Sequence, residues 1–201
     1  MKLYYAPGAC SLADHIALIE SGLPFDKEHV DLRSRITSDG ADYRLINPKH
    51  YVPALELDDG EILTENIAIL SYIAHESERL SPPRGLLHWR VLETTAYIST
   101  EIHKAFTPLF NPEAGPEAQH AARRLLTTRF ALLAQDLGEG PCLFGEHPMI
   151  ADCYLYVMLM WARKQASLKL PASLIAYFRR MSEHPSVRQA LKEEGLAPDT
   201  R

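Results

Sequence analysis

The chain has 201 residues, enough for one large domain or two small ones. Its 46% hydrophobic and 23% charged content excludes a disordered chain, and only three cysteines exclude a disulfide-built secreted scaffold. Lys and Arg number 21 against 26 Asp and Glu, and the resulting net charge of −5 argues against binding nucleic acid through the overall field.

Lys2 to Tyr5 reads as a short strand, stopped by Ala6-Pro7-Gly8. Ser11 to Ser21 carries Leu12, Ile16, Ala17 and Ile19 at helical spacing, with Gly22 as C-cap. Phe25 to Val30 reads as a second strand, close enough to the first for a parallel crossover. Ala54 to Leu57 and Glu61 to Leu63 flank Asp58-Asp59-Gly60, a strong hairpin signal. A helix carrying Ile67, Ala68, Leu70 and Ile73 follows, with Thr64 as its expected cap.

Ser77 to Arg84 contains Ser81-Pro82-Pro83 and reads as a linker. Every long segment after it is helical: Leu86 to Phe106, Pro116 to Leu137, Ile150 to Lys164, Pro171 to Met181 and Pro185 to Glu194. The longest apolar run, Cys153 to Ala162, is ten residues. A spanning helix needs about 18, so this run predicts a buried helix and no membrane association. The N-terminus has no long apolar core of the signal-peptide kind, so a cytoplasmic location is expected. Cys10, Cys142 and Cys153 have no metal-ligand spacing and are expected as free thiols in a reducing compartment, with no metal bound.

Cys10 stands at the mouth of the first helix, just after the Pro7-Gly8-Ala9 turn. A helix N-terminus carries about half a positive charge, which predicts a lowered thiol pKa and a reactive thiolate. A second cysteine three residues on is absent, so dithiol chemistry is disfavoured, while monothiol chemistry with a small external thiol stays open. A cysteine can equally be just a small residue at a helix start. Val52-Pro53 precedes the third strand, where a trans edge proline is the ordinary case. A cis bond there would instead turn the Val52 N–H and C=O outward beside Cys10. Glu65 at the start of the next helix would hold an amine, and the helix start itself a carboxylate, which together suit an amino-acid head group. Taken alone, Thr64-Glu65 is more commonly a cap with an acidic first turn. His103 and Lys104 are adjacent on one helix, so they diverge by about 100°, and a solvated face explains Lys104 as well.

In sum, the chain resembles the glutathione transferases, most closely the bacterial beta class, over nearly its full length. The resemblance rests on Met1-Lys2-Leu3-Tyr4-Tyr5-Ala6-Pro7-Gly8-Ala9-Cys10-Ser11-Leu12, Asn47-Pro48-Lys49, Val52-Pro53-Ala54-Leu55, Leu57-Asp58-Asp59-Gly60, Leu63-Thr64-Glu65, Glu101-Ile102-His103-Lys104 and Ile150-Ala151-Asp152-Cys153-Tyr154-Leu155, in that order and spacing. It implies a thioredoxin-like N-terminal domain over residues 1–80, a mixed four-stranded sheet with helices. It implies an all-helical domain over 86–201 that contributes the acceptor-substrate pocket, and a homodimer.

By the same likeness Pro53 is cis, and Val52 pairs with the cysteinyl backbone of glutathione, the co-substrate. Cys10 faces its sulfur and can form a mixed disulfide. Glu65 and Asn66 hold the γ-glutamyl end, and His103, Lys104 and Arg35 reach the ligand, with Cys10 and His103 the catalytic pair. Ala9, Phe106, Leu109, Phe110 and Trp161 are candidate walls for a hydrophobic electrophile, although ordinary core is at least as good a reading for Trp161. No permanently bound cofactor is implied.

Four positions depart from the family pattern: Asn66 for a small residue, His50-Tyr51 for Gly-Gln, Ala96 for Asn, and Met149 for the Ser or Thr that caps the central helix. Conjugation of the glutathione thiol to electrophiles, in a detoxifying role, is the first expectation. A glutathione-dependent thiol-disulfide reductase or peroxidase using Cys10 is the alternative, and a non-catalytic binding or regulatory protein is the third reading.

Overall fold

A computed structural model describes residues 1–82, 84–137, 140–165 and 168–197. Pro83 of the expected linker lies outside them. The first part contains β1 (Lys2–Tyr5), α1 (Leu12–Ser21), β2 (Asp26–Asp31), β3 (Ile36–Thr37), α2 (Tyr43–Ile46), β4 (Ala54–Glu56), β5 (Ile62–Thr64) and α3 (Asn66–Glu76). β2 lies parallel to β1, with Lys2 opposite Asp26, as the expected crossover requires. The hairpin is present, with Ala54 opposite Thr64, and β4 runs antiparallel to β1. The sheet order is β3-β2-β1-β4-β5. It has a fifth, edge strand beyond the expected four, and at two residues, Ile36–Thr37, β3 is too short to show a periodic pattern.

Alternation along the strands divides the core. Leu3, Tyr5 and Leu55 face the helices and join the main core. Tyr4, Val30, Val52 and Ala54 face the other side, against Tyr43 of α2. The second part contains α4 (Leu86–Tyr97), α5 (Thr107–Phe110), α6 (Pro116–Asp136), α7 (Ile150–Arg163), α8 (Ala172–Ser182) and α9 (Pro185–Glu193). α7 is the apolar central helix that the sequence predicts: every residue from Ile150 to Ala162 is buried. No helix among the described residues is long and apolar enough to cross a membrane.

Two local expectations need correction. Thr64 does not cap α3; it ends β5, and Glu65 takes the cap position without a side-chain cap bond. Leu86 to Phe106 is not one α-helix: after Tyr97 it becomes a π-helical turn, Ile98–His103, and then a 3-10 turn, Lys104–Phe106. Hydroxyls explain part of this, because Thr95 and Thr100 donate to the Val91 and Ala96 carbonyls at 2.7 and 3.0 Å, and such back-bonding bends helices. The Met149 vacancy at the start of α7 is made good from the other side. Asp152 accepts from the Met149 N–H at 2.9 Å, from the Leu143 N–H at 2.8 Å and from the Tyr177 hydroxyl at 2.7 Å.

Candidate active site

One cavity of about 170 Å³ is lined by Cys10, Tyr51, Val52, Pro53, Glu65, Asn66, Ser99, His103, Lys104 and Tyr154. The sheet half supplies the first six and the helical half the last four. Most of the site residues expected from the sequence therefore meet in one place. A larger groove of about 470 Å³ between α4 and α6 has no Cys or His in its lining.

Cys10 occupies the turn that leads into α1, with its S–H donating to the Val52 carbonyl at 3.3 Å. The Val52–Pro53 peptide bond is cis. The expected low thiol pKa is not found. Burial pushes Cys10 up to about 12, and the buried Asp14 carboxylate adds to the rise. The Cys10 and Ser11 backbone N–H groups and Lys104 pull the other way but do not win. The helix-terminus field is present; desolvation of a thiol packed against Val52 and above Asp14 exceeds it.

Asn66 lines the cavity and turns its amide toward the cysteine turn. Its Nδ2 donates to the Cys10 carbonyl at 3.0 Å and to Asp14 Oδ2 at 2.7 Å. Its bulk therefore ties the start of α3 to the cysteine turn. Glu65 faces out, with a backbone φ of 77° that non-glycine residues seldom adopt. Its Oε1 accepts from Lys49 Nζ at 2.7 Å and from the Tyr51 hydroxyl at 2.5 Å. These bonds hold its carboxyl below the ordinary range.

His103 ends the π-helical turn and Lys104 begins the 3-10 turn after it. Adjacent residues on a regular α-helix point apart, but here both line the cavity. Such π turns are frequent at functional sites. The imidazole Nδ1 of His103 lies 2.6 Å from the Tyr154 hydroxyl, and the Trp161 ring packs edge-on at 5.1 Å. Burial, with Lys104 adding to it, lowers His103 to about 4. Lys104 is close enough to act on both Cys10 and Glu65.

None of the expected acceptor walls is among the residues lining this cavity. Phe106 is fully buried, so it is core rather than pocket wall, and Trp161 is 9% exposed with its indole N–H donating to the Gly8 carbonyl at 2.9 Å. Ala9 and Leu109 are half-buried and Phe110 is 54% exposed, and none of the three lines the cavity. Arg35 also stands outside the lining, with its guanidinium donating to the His50 carbonyl. Ala96 is likewise outside it. Tyr51, Ser99 and Tyr154 line the cavity without having been expected there. Ser99 sits four residues before His103, a same-face spacing that could have revealed it. Tyr154 was hidden in an apolar run, where an aromatic reads as core.

The loop before Cys10 is fixed from two sides. The Gly8 N–H donates to Glu194 Oε2 at 2.8 Å, while Trp161 takes the Gly8 carbonyl. Gly8 itself has a φ of 70°, which glycine adopts without steric cost. Glu194 also bonds Nδ1 of the fully buried His15 at 2.9 Å, and Glu193 meets the other ring nitrogen at 3.0 Å.

Comparison with known proteins agrees with this geometry. The family described as "Glutathione S-transferase, N-terminal domain" matches residues 9–76. The glutathione S-transferase GstA of Escherichia coli O157:H7 is 41% identical, over 98% of this chain and 100% of that protein. A sphingomonad glutathione S-transferase, solved in complex with glutathione, is 44% identical with a TM-score of 0.89, covering 98% of this chain and 100% of that one. A bacterial beta-class glutathione S-transferase of Sphingomonas chungbukensis is 43% identical with a TM-score of 0.88, over the same shares of both chains. With full-length matches of this strength and a cysteine cavity between sheet and helices, the chain belongs to the glutathione S-transferase family.

Proposed function

We propose that the protein binds glutathione in the Cys10 cavity and joins its thiol to hydrophobic electrophiles. The carrying observation is the cavity itself, where Cys10, Val52, Glu65, His103 and Lys104 converge from both halves of the chain. In this reading residues 1–80 form the glutathione-binding domain, and 86–201 form the helical domain that adds His103, Lys104 and the acceptor side. Val52 pairs with the cysteinyl backbone. The γ-glutamyl ammonium replaces Lys49 on Glu65, and its carboxylate takes the N–H groups at the start of α3. Arg35 and Lys104 answer the ligand's carboxylates. Cys10, still a thiol, donates its S–H to the glutathione sulfur anion. His103, neutral at pH 7, donates a second hydrogen bond. Ala9, Leu109 and Phe110 remain as the acceptor wall.

The thiol-disulfide alternative needs a Cys10 thiolate at neutral pH, which burial opposes. Parallel assays of an aryl halide and of a glutathione mixed disulfide decide between the two. Faster turnover of the aryl halide is expected, and faster turnover of the disulfide would reverse the assignment. Retention on immobilised glutathione is expected, and failure to bind would leave a non-catalytic role.

A detoxifying, cytoplasmic homodimer fits this activity. Leu86 and Trp89 of α4, at 68% and 62% exposure, and Leu125 and Leu132 of α6, at 43% and 46%, supply apolar surface for a second copy.

Lys104→Ala should raise the glutathione KM about two- to fivefold, the range of an exposed ion pair, and make it less sensitive to salt. Steady-state kinetics at low and high ionic strength test this. An unchanged KM at both would remove Lys104 from the site.

A further inference from the structure

We propose that Tyr154, supported by Ser99, is a positioning residue that fixes His103 as its neutral Nε2–H tautomer, making it a hydrogen-bond donor to the ligand sulfur rather than a base. The kinetic part of this rests on the glutathione reading above; the tautomer does not.

The Tyr154 oxygen and His103 Nδ1 are 2.6 Å apart. Bonds from N–H donors are typically about 2.7–3.2 Å long, while hydroxyl donors reach about 2.5 Å. The separation is short for an N–H donor and suits a hydroxyl donor, and on it we assign the phenol as donor and Nδ1 as acceptor. A neutral imidazole has one N–H, so its proton must sit on Nε2. Ser99 lines the same cavity and is close enough to the phenol to act on it.

The ring is also held in orientation. Trp161 packs against it at 72° between planes, and a flip would replace Nδ1 by a carbon and break the Tyr154 bond. Nε2 has no hydrogen-bond partner among the described residues, and His103 lines the cavity. Its N–H is left for whatever occupies that space. The charged and titratable groups that share the cavity are Cys10, Tyr51, Glu65, Lys104 and Tyr154. Burial and Lys104 both oppose an imidazolium there. No proton moves in this role: the Nε2–H stays on the ring while the sulfur attacks.

Long-range ¹H–¹⁵N spectra of the ligand-free protein at neutral pH read the tautomer directly. The expected result is a protonated Nε2 and an unprotonated Nδ1 on His103 in the wild type. In Tyr154→Phe, both tautomers should appear. A merely structural role for Tyr154 would leave the tautomer unchanged. With glutathione and an aryl halide, Tyr154→Phe should lower kcat about tenfold, the loss of one well-placed hydrogen bond. Its glutathione KM should stay within about twofold. Ser99→Ala should shift both readouts in the same direction by less. A wild-type His103 protonated on Nδ1 would overturn the proposal, as would a Tyr154→Phe variant that keeps wild-type kcat. Because the spectra need no ligand, a failure of the tautomer is distinguishable from a failure of glutathione binding.

Discussion

Asp152→Ala is expected to destabilise the fold by about 3–5 kcal/mol. The carboxylate is fully buried, and it accepts from two backbone N–H groups and one phenol: Met149, Leu143 and Tyr177. Truncation leaves three buried donors unpaired, and each lost partner costs about 1–3 kcal/mol before relaxation. The three donors belong to different places: the start of α7, the turn before it, and α8. One substitution thus loosens three junctions. Asp152→Asn keeps an acceptor for two of them on one oxygen, so it should cost less. Urea unfolding with an unchanged m-value measures both variants. A loss below about 1 kcal/mol for Asp152→Ala would show that these bonds are replaced by water.

Cys10→Ala should abolish mixed-disulfide formation with oxidised glutathione. In the wild type, the Cys10 sulfur attacks one sulfur of the disulfide, forms the protein–glutathione bond and releases the other glutathione as a thiol. Cys142 is 4% exposed and Cys153 fully buried, and burial pushes both thiols up, so neither substitutes for Cys10. Mass spectrometry should show one adduct on the wild type and none on the variant.

The pH dependence follows from the sign of the shift. Only the thiolate reacts, and a thiol raised to about 12 keeps the adduct slow at pH 7 and accelerating throughout the alkaline range. A reaction that levels off below pH 8 would contradict the burial argument. Conjugation should fall about 10- to 100-fold in the same variant, the loss of one hydrogen bond to a charged sulfur.

Much of this architecture was legible in local pattern. Gly22 after a periodic run, Asp-Gly between apolar pairs, and Pro185 at a first turn each predict an element that is present. The unpredicted parts carry no such local signal. Strand β3 exists because Val30 and Asp31 offer an edge to Thr37 and Ile36. The π turn ends at His103 and a 3-10 turn begins at Lys104, and no composition rule marks either. The helix-terminus field on Cys10 can be read from sequence, while the packing of Val52 and Asp14 around its sulfur, which decides the sign of the shift, cannot. Phe106 and Phe110 differ by four residues, yet one is fully buried and the other 54% exposed. Helical periodicity places such a pair on one face but does not say where that face ends.

The two bonds on Gly8 bear on the order in which the chain is completed. Its partners, Trp161 and Glu194, lie 153 and 186 residues downstream. During synthesis, β1, α1 and the hairpin can pair as soon as they emerge. The turn ahead of Cys10 must wait for nearly the whole polypeptide. A nascent chain halted before α9 would carry the cysteine but lack the Glu194 acceptor for the Gly8 N–H and both carboxylates around His15. The cysteine-bearing loop is therefore among the last parts of the molecule to acquire its shape, although it is among the first to be made.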